Sequence, residues 1–362
     1  MNAWEKNFRK VEPYTPGEQP VFANMVKLNT NENPYPPSPK VEAAMRRLCD
    51  NMEHFRLYPD FKAEPLTTVL AKYYGLANDQ VFVGVGSDDV LSVAFLTFFH
   101  SDRPVLFPDI TYSFYDVWAQ VYEIPYECPM LDENFRIRKE DYYQKNGGIV
   151  IANPNAPTSI AEGIDFIEDI LRHNQESVVI VDEAYVDFGG ESALPLLKKY
   201  GNLLIVQTFS KSRAMAGMRI GYAMGSPTLI RAMNDVKYSI NSYTMNYPSL
   251  SAGVAAVEDD AYFRECCEKV IRTRTWARTE LERLKFICLD SAANFLFVTH
   301  PLVPAAKIFA ALKERGIFVR YFNKPRIDNY LRITIGTKEQ MEQLVEALLE
   351  IVPVAEKKEG EQ

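Results

Sequence analysis

The run Val178-Val179-Ile180-Val181-Asp182-Glu183-Ala184-Tyr185 carries an unbroken apolar stretch into two acids and a tyrosine. A short run of β-branched residues with polar punctuation on both sides is what a strand buried on both faces requires. Residues 81–85, 105–107, 149–152 and 203–208 read the same way. Between them lie stretches with helical apolar spacing: 39–51 (Val41, Ala44, Met45, Leu48), 65–74 and 90–99. This alternation predicts an α/β fold with a parallel sheet covered on both faces. After Val236 the pattern changes. A long helix over 259–284, dense in Arg and Glu, precedes a strand over 294–298 and a helix over 304–315. Strands over 317–321 and 330–335 and a helix over 338–351 follow. That order suits a smaller α+β domain. In the first forty residues, Pro13, Pro16, Pro20, Pro34, Pro36, Pro37 and Pro39 leave little room for helix. They read as an extended arm, anchored by Tyr14, Phe22 and Leu28, that packs on the small domain or a neighbouring subunit. The expected division is an arm over 1–40, a large domain over 41–255 and a small domain over 256–362, with the charged run 356–362 frayed.

Composition narrows the classes. The chain has 362 residues, 47% hydrophobic and 24% charged, a balance that argues against wholesale disorder. At this length roughly two domains are expected. Lys and Arg number 40 against 48 Asp and Glu, and the formal net charge of −8 argues against a general binder of nucleic acid or anionic membrane. No stretch approaches the roughly 18 apolar residues of a spanning helix. The start MNAWEKNFRK lacks the apolar segment of a secretory leader. The five cysteines (Cys49, Cys128, Cys266, Cys267, Cys288) show no CxxC spacing. They read as reduced thiols of a cytoplasmic protein, which excludes a disulfide scaffold and a zinc ribbon.

Asp182 closes a buried strand, at the end where open α/β sheets place ligands. A carboxylate there is costly unless it meets a cation. A helix cap or a structural ion pair is an equal alternative; a metal needs companion ligands, and none is nearby in sequence. The run Leu203-Leu204-Ile205-Val206-Gln207-Thr208-Phe209-Ser210-Lys211 again ends a buried strand in hydroxyls and one lysine. Desolvation and neighbouring cations lower a lysine's pKa and expose an amine able to form an imine; a lysine reaching for solvent is the plain alternative. Arg219, flanked by small residues in Ala216-Gly217-Met218-Arg219-Ile220-Gly221, is suited to a phosphate. Gly84-Val85-Gly86-Ser87-Asp88-Asp89 leads from a strand into a helix, where free N–H groups bind phosphate or where Ser and Asp simply cap. It is neither a dinucleotide fingerprint, which needs glycine at 89, nor a Walker A loop. Ala152-Asn153-Pro154-Asn155-Ala156-Pro157-Thr158 is a Pro-bounded loop in which Asn155 can offer its amide to a ligand oxygen or serve as a plain turn residue. Together these segments supply an imine-forming lysine, an acid, an amide or phenol and an anion cradle. A phosphorylated pyridine that forms an imine needs that set.

The same residues resemble the pyridoxal-phosphate aminotransferases of class I/II, of fold type I, and within them the branch that acts on histidinol phosphate. The likeness runs from Val11-Glu12-Pro13-Tyr14-Thr15-Pro16-Gly17 through Asn31-Glu32-Asn33-Pro34-Tyr35 and Tyr58-Pro59-Asp60. It continues through Thr208-Phe209-Ser210-Lys211, with Arg219 after it, to Leu331-Arg332-Ile333-Thr334-Ile335-Gly336. The resemblance implies a large domain with a mostly parallel central sheet sandwiched by helices, plus a smaller α+β domain. It implies pyridoxal 5'-phosphate as cofactor, held by Lys211 as an internal aldimine, and Lys211 as the proton shuttle. Asp182 is to pair with the pyridinium nitrogen, Tyr185 and Asn155 with the phenolic oxygen, and Tyr112 is to stack on the ring. Ser87, Asp88, Thr208, Ser210 and Arg219 are to meet the phosphate, joined by Tyr58 of a partner subunit in a homodimer with shared active sites. Arg332, with Arg320, Tyr14 and Tyr243, is to grip the anionic group of the substrate. The loop departs from the usual Pro-Asn-Asn-Pro-Thr-Gly at Ala156 and Ser159, the acidic pair after Ser87 is Asp-Asp, and Tyr-Pro-Asp is followed by Phe61.

The expected reaction is ping-pong exchange of an amino group between L-histidinol phosphate and 2-oxoglutarate, giving imidazole-acetol phosphate and L-glutamate. A threonine-phosphate decarboxylase-like enzyme and an aromatic-amino-acid aminotransferase share the scaffold. A cofactor-binding regulator fused to a DNA-binding domain is the rival of another class; no helix-turn-helix segment is appended and the charge is negative.

Overall fold

The computed structural model describes residues 2–14, 18 and 25–353. Thr15, Pro16, Gly17, Pro20 and Phe22 of the arm and the run 356–362 lie outside the described residues. The large sheet has seven strands: β1 (Val81–Gly84), β2 (Val105–Leu106), β3 (Tyr126–Glu127), β4 (Gly148–Ala152), β5 (Val179–Asp182), β6 (Leu203–Thr208) and β7 (Gly221–Gly225). Their spatial order is β1-β7-β6-β5-β4-β2-β3. All neighbours run parallel except β7, which is antiparallel to both β1 and β6. The sequence pattern omits β7 because Gly221-Tyr222-Ala223-Met224-Gly225 has no β-branched run.

Alternate residues of each central strand face opposite cores, as the two-residue period requires. Val179, Val181, Leu203, Ile205 and Met224 pack with α1 (Pro39–Cys49), α2 (Glu64–Tyr74), α5 (Ile164–His173) and α7 (Tyr247–Val257). Ile180, Leu204, Val206 and Ala223 pack with α3 (Ser87–Phe98), α4 (Tyr115–Val121) and α6 (Pro227–Ile240). Burial on both faces is why the strands read as continuous apolar runs. Helix α3 begins earlier than the apolar spacing suggests. Ser87, Asp88 and Asp89 form its first turn after Gly86, where acidic side chains suit the positive end of the helix.

A second core gathers around α8 (Asp260–Arg283), α9 (Ala305–Glu314) and α10 (Lys338–Ile351). They cover an antiparallel sheet of β8 (Ile287–Cys288), β9 (Phe295–Thr299), β10 (Arg320–Tyr321) and β11 (Leu331–Thr334), in spatial order β10-β11-β9-β8. The single strand expected over 317–321 is two pieces. Ile317–Phe318 pairs in parallel with Val26–Lys27 of the arm, and Arg320–Tyr321 pairs with β11. The arm thus takes hydrogen bonds that the sheet leaves, and Leu28 enters the second core.

Register decides where chemistry gathers. Ala152 lies opposite Asp182, Asp182 opposite Val206, Thr208 opposite Gly221, and Gly221 opposite Gly84. One edge of the large sheet therefore presents the end of β5, the exit from β6 toward Lys211 and the entry to α3. Ile205 is fully buried at the centre of β6. Ile205→Ala is expected to lower the unfolding free energy by about 2–5 kcal/mol. Leu302→Ala, 73% exposed, is expected to stay within about 0.5 kcal/mol. Denaturant titration of both variants checks the contrast.

Candidate active site

Two connected cavities open at that edge. The inner one measures about 170 Å³ and is walled by Ser87, Asp88, Asp182, Ser210 and Arg219. The outer one measures about 670 Å³ and reaches Tyr14, Arg320 and Arg332. Lys211, Tyr185, Tyr112, Thr30 and Ala156 line both.

At the floor of the inner cavity, Asp182 accepts from Tyr115 Oη at 2.7 Å and from the Ala184 N–H at 3.2 Å. Burial nevertheless pushes its carboxyl up to about 6, and the charge of Asp88 adds to the rise; the two hydrogen bonds only moderate it. Such a carboxylate favours a cation supplied from the cavity. Lys211 Nζ donates to Thr30 O at 3.2 Å and lies 5.8 Å from the Tyr185 ring centroid. The Tyr185 hydroxyl accepts from Asn31 Nδ2 at 3.0 Å, and its ring meets Phe295 edge-on at 5.1 Å.

An anion cradle forms beside them. The first-turn N–H groups of α3 have no intrahelical acceptor. Arg219 Nη2 lies 3.2 Å from Asp88 Oδ2, and Tyr112 Oη donates to Asp88 Oδ1 at 2.8 Å. Burial and the Asp88 charge hold the Tyr112 phenol well above its ordinary range. The cradle closes only because two glycines lack a Cβ. One on Gly86 would stand 2.5 Å from Arg219 Nη2, and one on Gly221 2.3 Å from the Ser87 nitrogen. Ser210 is on the cavity wall. Thr208 lies behind it, contacting Ser210 Oγ at 3.1 Å and Ile220 O at 3.3 Å, so it orients Ser210 rather than facing the cavity.

In the outer cavity β10 and β11 place Arg320 directly across from Arg332. Arg332 Nη2 donates to Asn29 O at 2.8 Å, and its guanidinium lies over the Phe295 and Phe322 rings. Among the described residues its buried Nε has no partner. Burial lowers its pKa, and the Arg320 charge adds to the effect. A buried cation with a spare donor is a position for an anion. Tyr14 stacks on Phe114 at 4.1 Å on the same wall.

Besides Thr208, three expected residues stand elsewhere. Asn155 is buried in its own loop: Nδ2 donates to Ile110 O and Thr158 Oγ1, both at 2.9 Å, while Oδ1 accepts from Thr111 Oγ1. The residue this loop shows to both cavities is Ala156. Tyr58 is 78% exposed and stacks on Tyr243 at 4.6 Å, and neither lines either of these two cavities. Sequence reasoning also missed Tyr115, whose ring reads as helix core, and the span from Asn29 to Asn33. In that span Asn33 Nδ2 donates to Lys211 O at 3.0 Å and Ser212 O at 3.2 Å. Asn31-Glu32-Asn33-Pro34-Tyr35 was read as part of the family likeness, but no role was assigned to its residues.

A family model for aminotransferases of class I and II matches residues 23–348. The chain belongs to that family. A relative from Acinetobacter baylyi, a histidinol-phosphate aminotransferase, is 53% identical over 349 residues, covering 96% of this chain and 97% of the relative. A histidinol-phosphate aminotransferase of Lactococcus lactis subsp. cremoris is 48% identical over 355 residues, covering 98% and 99%. Among solved structures, histidinol-phosphate aminotransferase from Sinorhizobium meliloti in complex with pyridoxal-5'-phosphate superposes with a TM-score of 0.82 at 22% identity, covering 90% of each chain. Aspartate aminotransferase from Thermus thermophilus with maleate does so with 0.79 at 20% identity, covering 91% of this chain and 92% of that one. At those identities the likeness concerns the fold.

The environment of Asp182 has a measurable consequence. Its folded pKa, about 6, lies above the ordinary 3.8. The associated stability is present in full below the ordinary value and is lost as pH rises through about 6. Ligand-free Asp182→Asn is therefore expected to melt at a higher temperature than the parent near pH 8, with the gap closing between about pH 6 and 4. Thermal unfolding across that range checks this; a gap independent of pH contradicts it.

Proposed function

We propose that this chain transfers an amino group between L-histidinol phosphate and 2-oxoglutarate, yielding imidazole-acetol phosphate and L-glutamate, as a cytoplasmic homodimer that uses pyridoxal 5'-phosphate. The observation that carries the reading is the arginine pair, Arg320 across from Arg332, in the cavity that also exposes Lys211. Both substrates are anionic near the amine or carbonyl that reacts, so one arginine site serves each in turn. Bidentate charge-assisted bonds suit carboxylate and phosphate alike. The names of the relatives at 48–53% identity support the choice of substrate.

The residues fit the cofactor. Asp182 is a desolvated carboxylate with no cation against it among the described residues, and the glycine-lined cradle would be filled by a single Cβ. Asp182 would hold the ring nitrogen, Tyr185 the phenolic oxygen, and Tyr112 a ring face. Ser210, Arg219 and the first-turn N–H groups of Ser87 and Asp88 would hold the phosphate. When bound, the cofactor supplies an electron sink that makes the substrate's amine-bearing carbon acidic. Lys211 Nζ takes the proton from that carbon and returns it on the other side of the exchange. Tyr14 and Phe322 wall the outer cavity and limit water around that transfer. Donor product leaves before acceptor enters, because both need the same arginines.

Dimerisation is supported by an apolar exposed surface: Met52, Phe55, Leu57, Tyr58, Phe61 and Tyr243. It offers Tyr58 to the cradle of a partner subunit, and a monomer in sedimentation equilibrium at micromolar concentration removes this part. No helix among the described residues is long and apolar enough to cross a membrane. The two cores fit the division at about residue 255, with the arm joining the smaller one through Val26 and Leu28.

Half-reactions with glutamate and with histidinol phosphate test the reading. Lys211→Ala is expected to abolish both. Arg332→Ala is expected to lower kcat/KM about 10- to 100-fold for both substrates. Loss for one alone contradicts the shared anion site, and carbon dioxide release from a phosphorylated amino acid points to the decarboxylase instead.

A further inference from the structure

Asn31 is 1% exposed and stands at φ 56°, a left-handed conformation that asparagine tolerates. Its backbone N–H donates to Thr334 Oγ1 at 3.0 Å. That hydroxyl, already accepting, directs its one hydrogen to Asn31 Oδ1, also at 3.0 Å. In the structure Oδ1 faces Thr334 and Nδ2 faces Tyr185, donating to its hydroxyl oxygen at 3.0 Å. Asn294 Nδ2 holds Asn31 O from the other side at 3.0 Å. A tyrosine that accepts from an amide keeps its single hydrogen for another acceptor. Tyr185 lines both cavities.

We infer that Asn31 is a positioning residue that makes the Tyr185 hydroxyl a dedicated donor into the cavity, aimed at the phenolic oxygen of the bound cofactor. The inference rests on the function proposed above and adds a residue to it. The loop after β4 does not share the task, since Asn155 has acceptors for both amide hydrogens and Ala156 carries no polar group. Thr334 belongs to β11 and Asn294 precedes β9. The smaller sheet thereby sets the direction of a hydrogen bond at the edge of the larger one.

The test is a pH titration of visible absorbance in the reconstituted holoenzyme. A donor on the phenolic oxygen draws electron density from the conjugated lysine nitrogen and lowers its proton affinity. Tyr185→Phe is expected to raise the midpoint by about one pH unit, the size of one charged hydrogen bond. Asn31→Gly, which suits the positive φ, is expected to raise it in the same direction. Asn31→Asp keeps the side-chain shape but draws the Tyr185 hydrogen to itself, and is expected to do likewise. With Tyr185→Phe already in place, Asn31→Gly is expected to add nothing. The inference is overturned if both Asn31 variants keep the parental midpoint while Tyr185→Phe moves it. It is also overturned if the Asn31→Gly shift persists undiminished without the phenol. If the parent shows no visible band that Lys211→Ala removes, the proposed function itself fails and takes this inference with it.

Discussion

A carboxylate held away from water, with nothing positively charged against it among the described residues, is the constraint around which the rest is arranged. Asp182 is placed by register, as the last residue of a strand flanked on both sides by parallel neighbours. Tyr115 and the Ala184 N–H steady it but leave it poorly solvated, which is why its carboxyl sits near 6. On the proposed reading, a cationic ring nitrogen would offset this cost when the cofactor binds. Local instability of this kind collects at functional sites.

The second organising feature is the short span from Asn29 to Asn33. Asn29 O takes a hydrogen bond from Arg332, Thr30 O from Lys211, and Asn31 Nδ2 donates to Tyr185, while Asn33 ties to the backbone of Lys211 and Ser212. Groups on two different sheets are thus referenced to one segment. The large sheet contributes the acid and the lysine; the smaller sheet contributes the arginines and, through Thr334 and Asn294, the anchor of the segment itself. A displacement of either sheet would be felt at the amine.

Much of the fold was legible because burial on both faces leaves unbroken apolar runs, and Leu203–Thr208 is recovered with its bounds unchanged. Asp182 and Lys211 were legible for a related reason: a charge at the end of such a run has few places to go. Strand Gly221–Gly225 was not, since its identity comes from antiparallel pairing with two neighbours rather than from its residues. Asn155 shows the limit within the site. A sequence states that an amide is present in a loop but not which way the loop turns it, and here Ile110 and Thr158 claim it. Tyr115 and Asn31 escaped because their roles are set by partners 67 and 154 residues away.

The central claim, that Asp182 keeps a bound ring nitrogen charged, can be read directly with cofactor labelled by nitrogen-15 in the pyridine ring. In the holoenzyme near neutral pH the account predicts the chemical shift of a protonated, hydrogen-bonded pyridinium, moving toward the neutral-ring value when Asp182 is replaced by alanine. A neutral ring nitrogen in the unaltered protein, or a shift indifferent to residue 182, would contradict it.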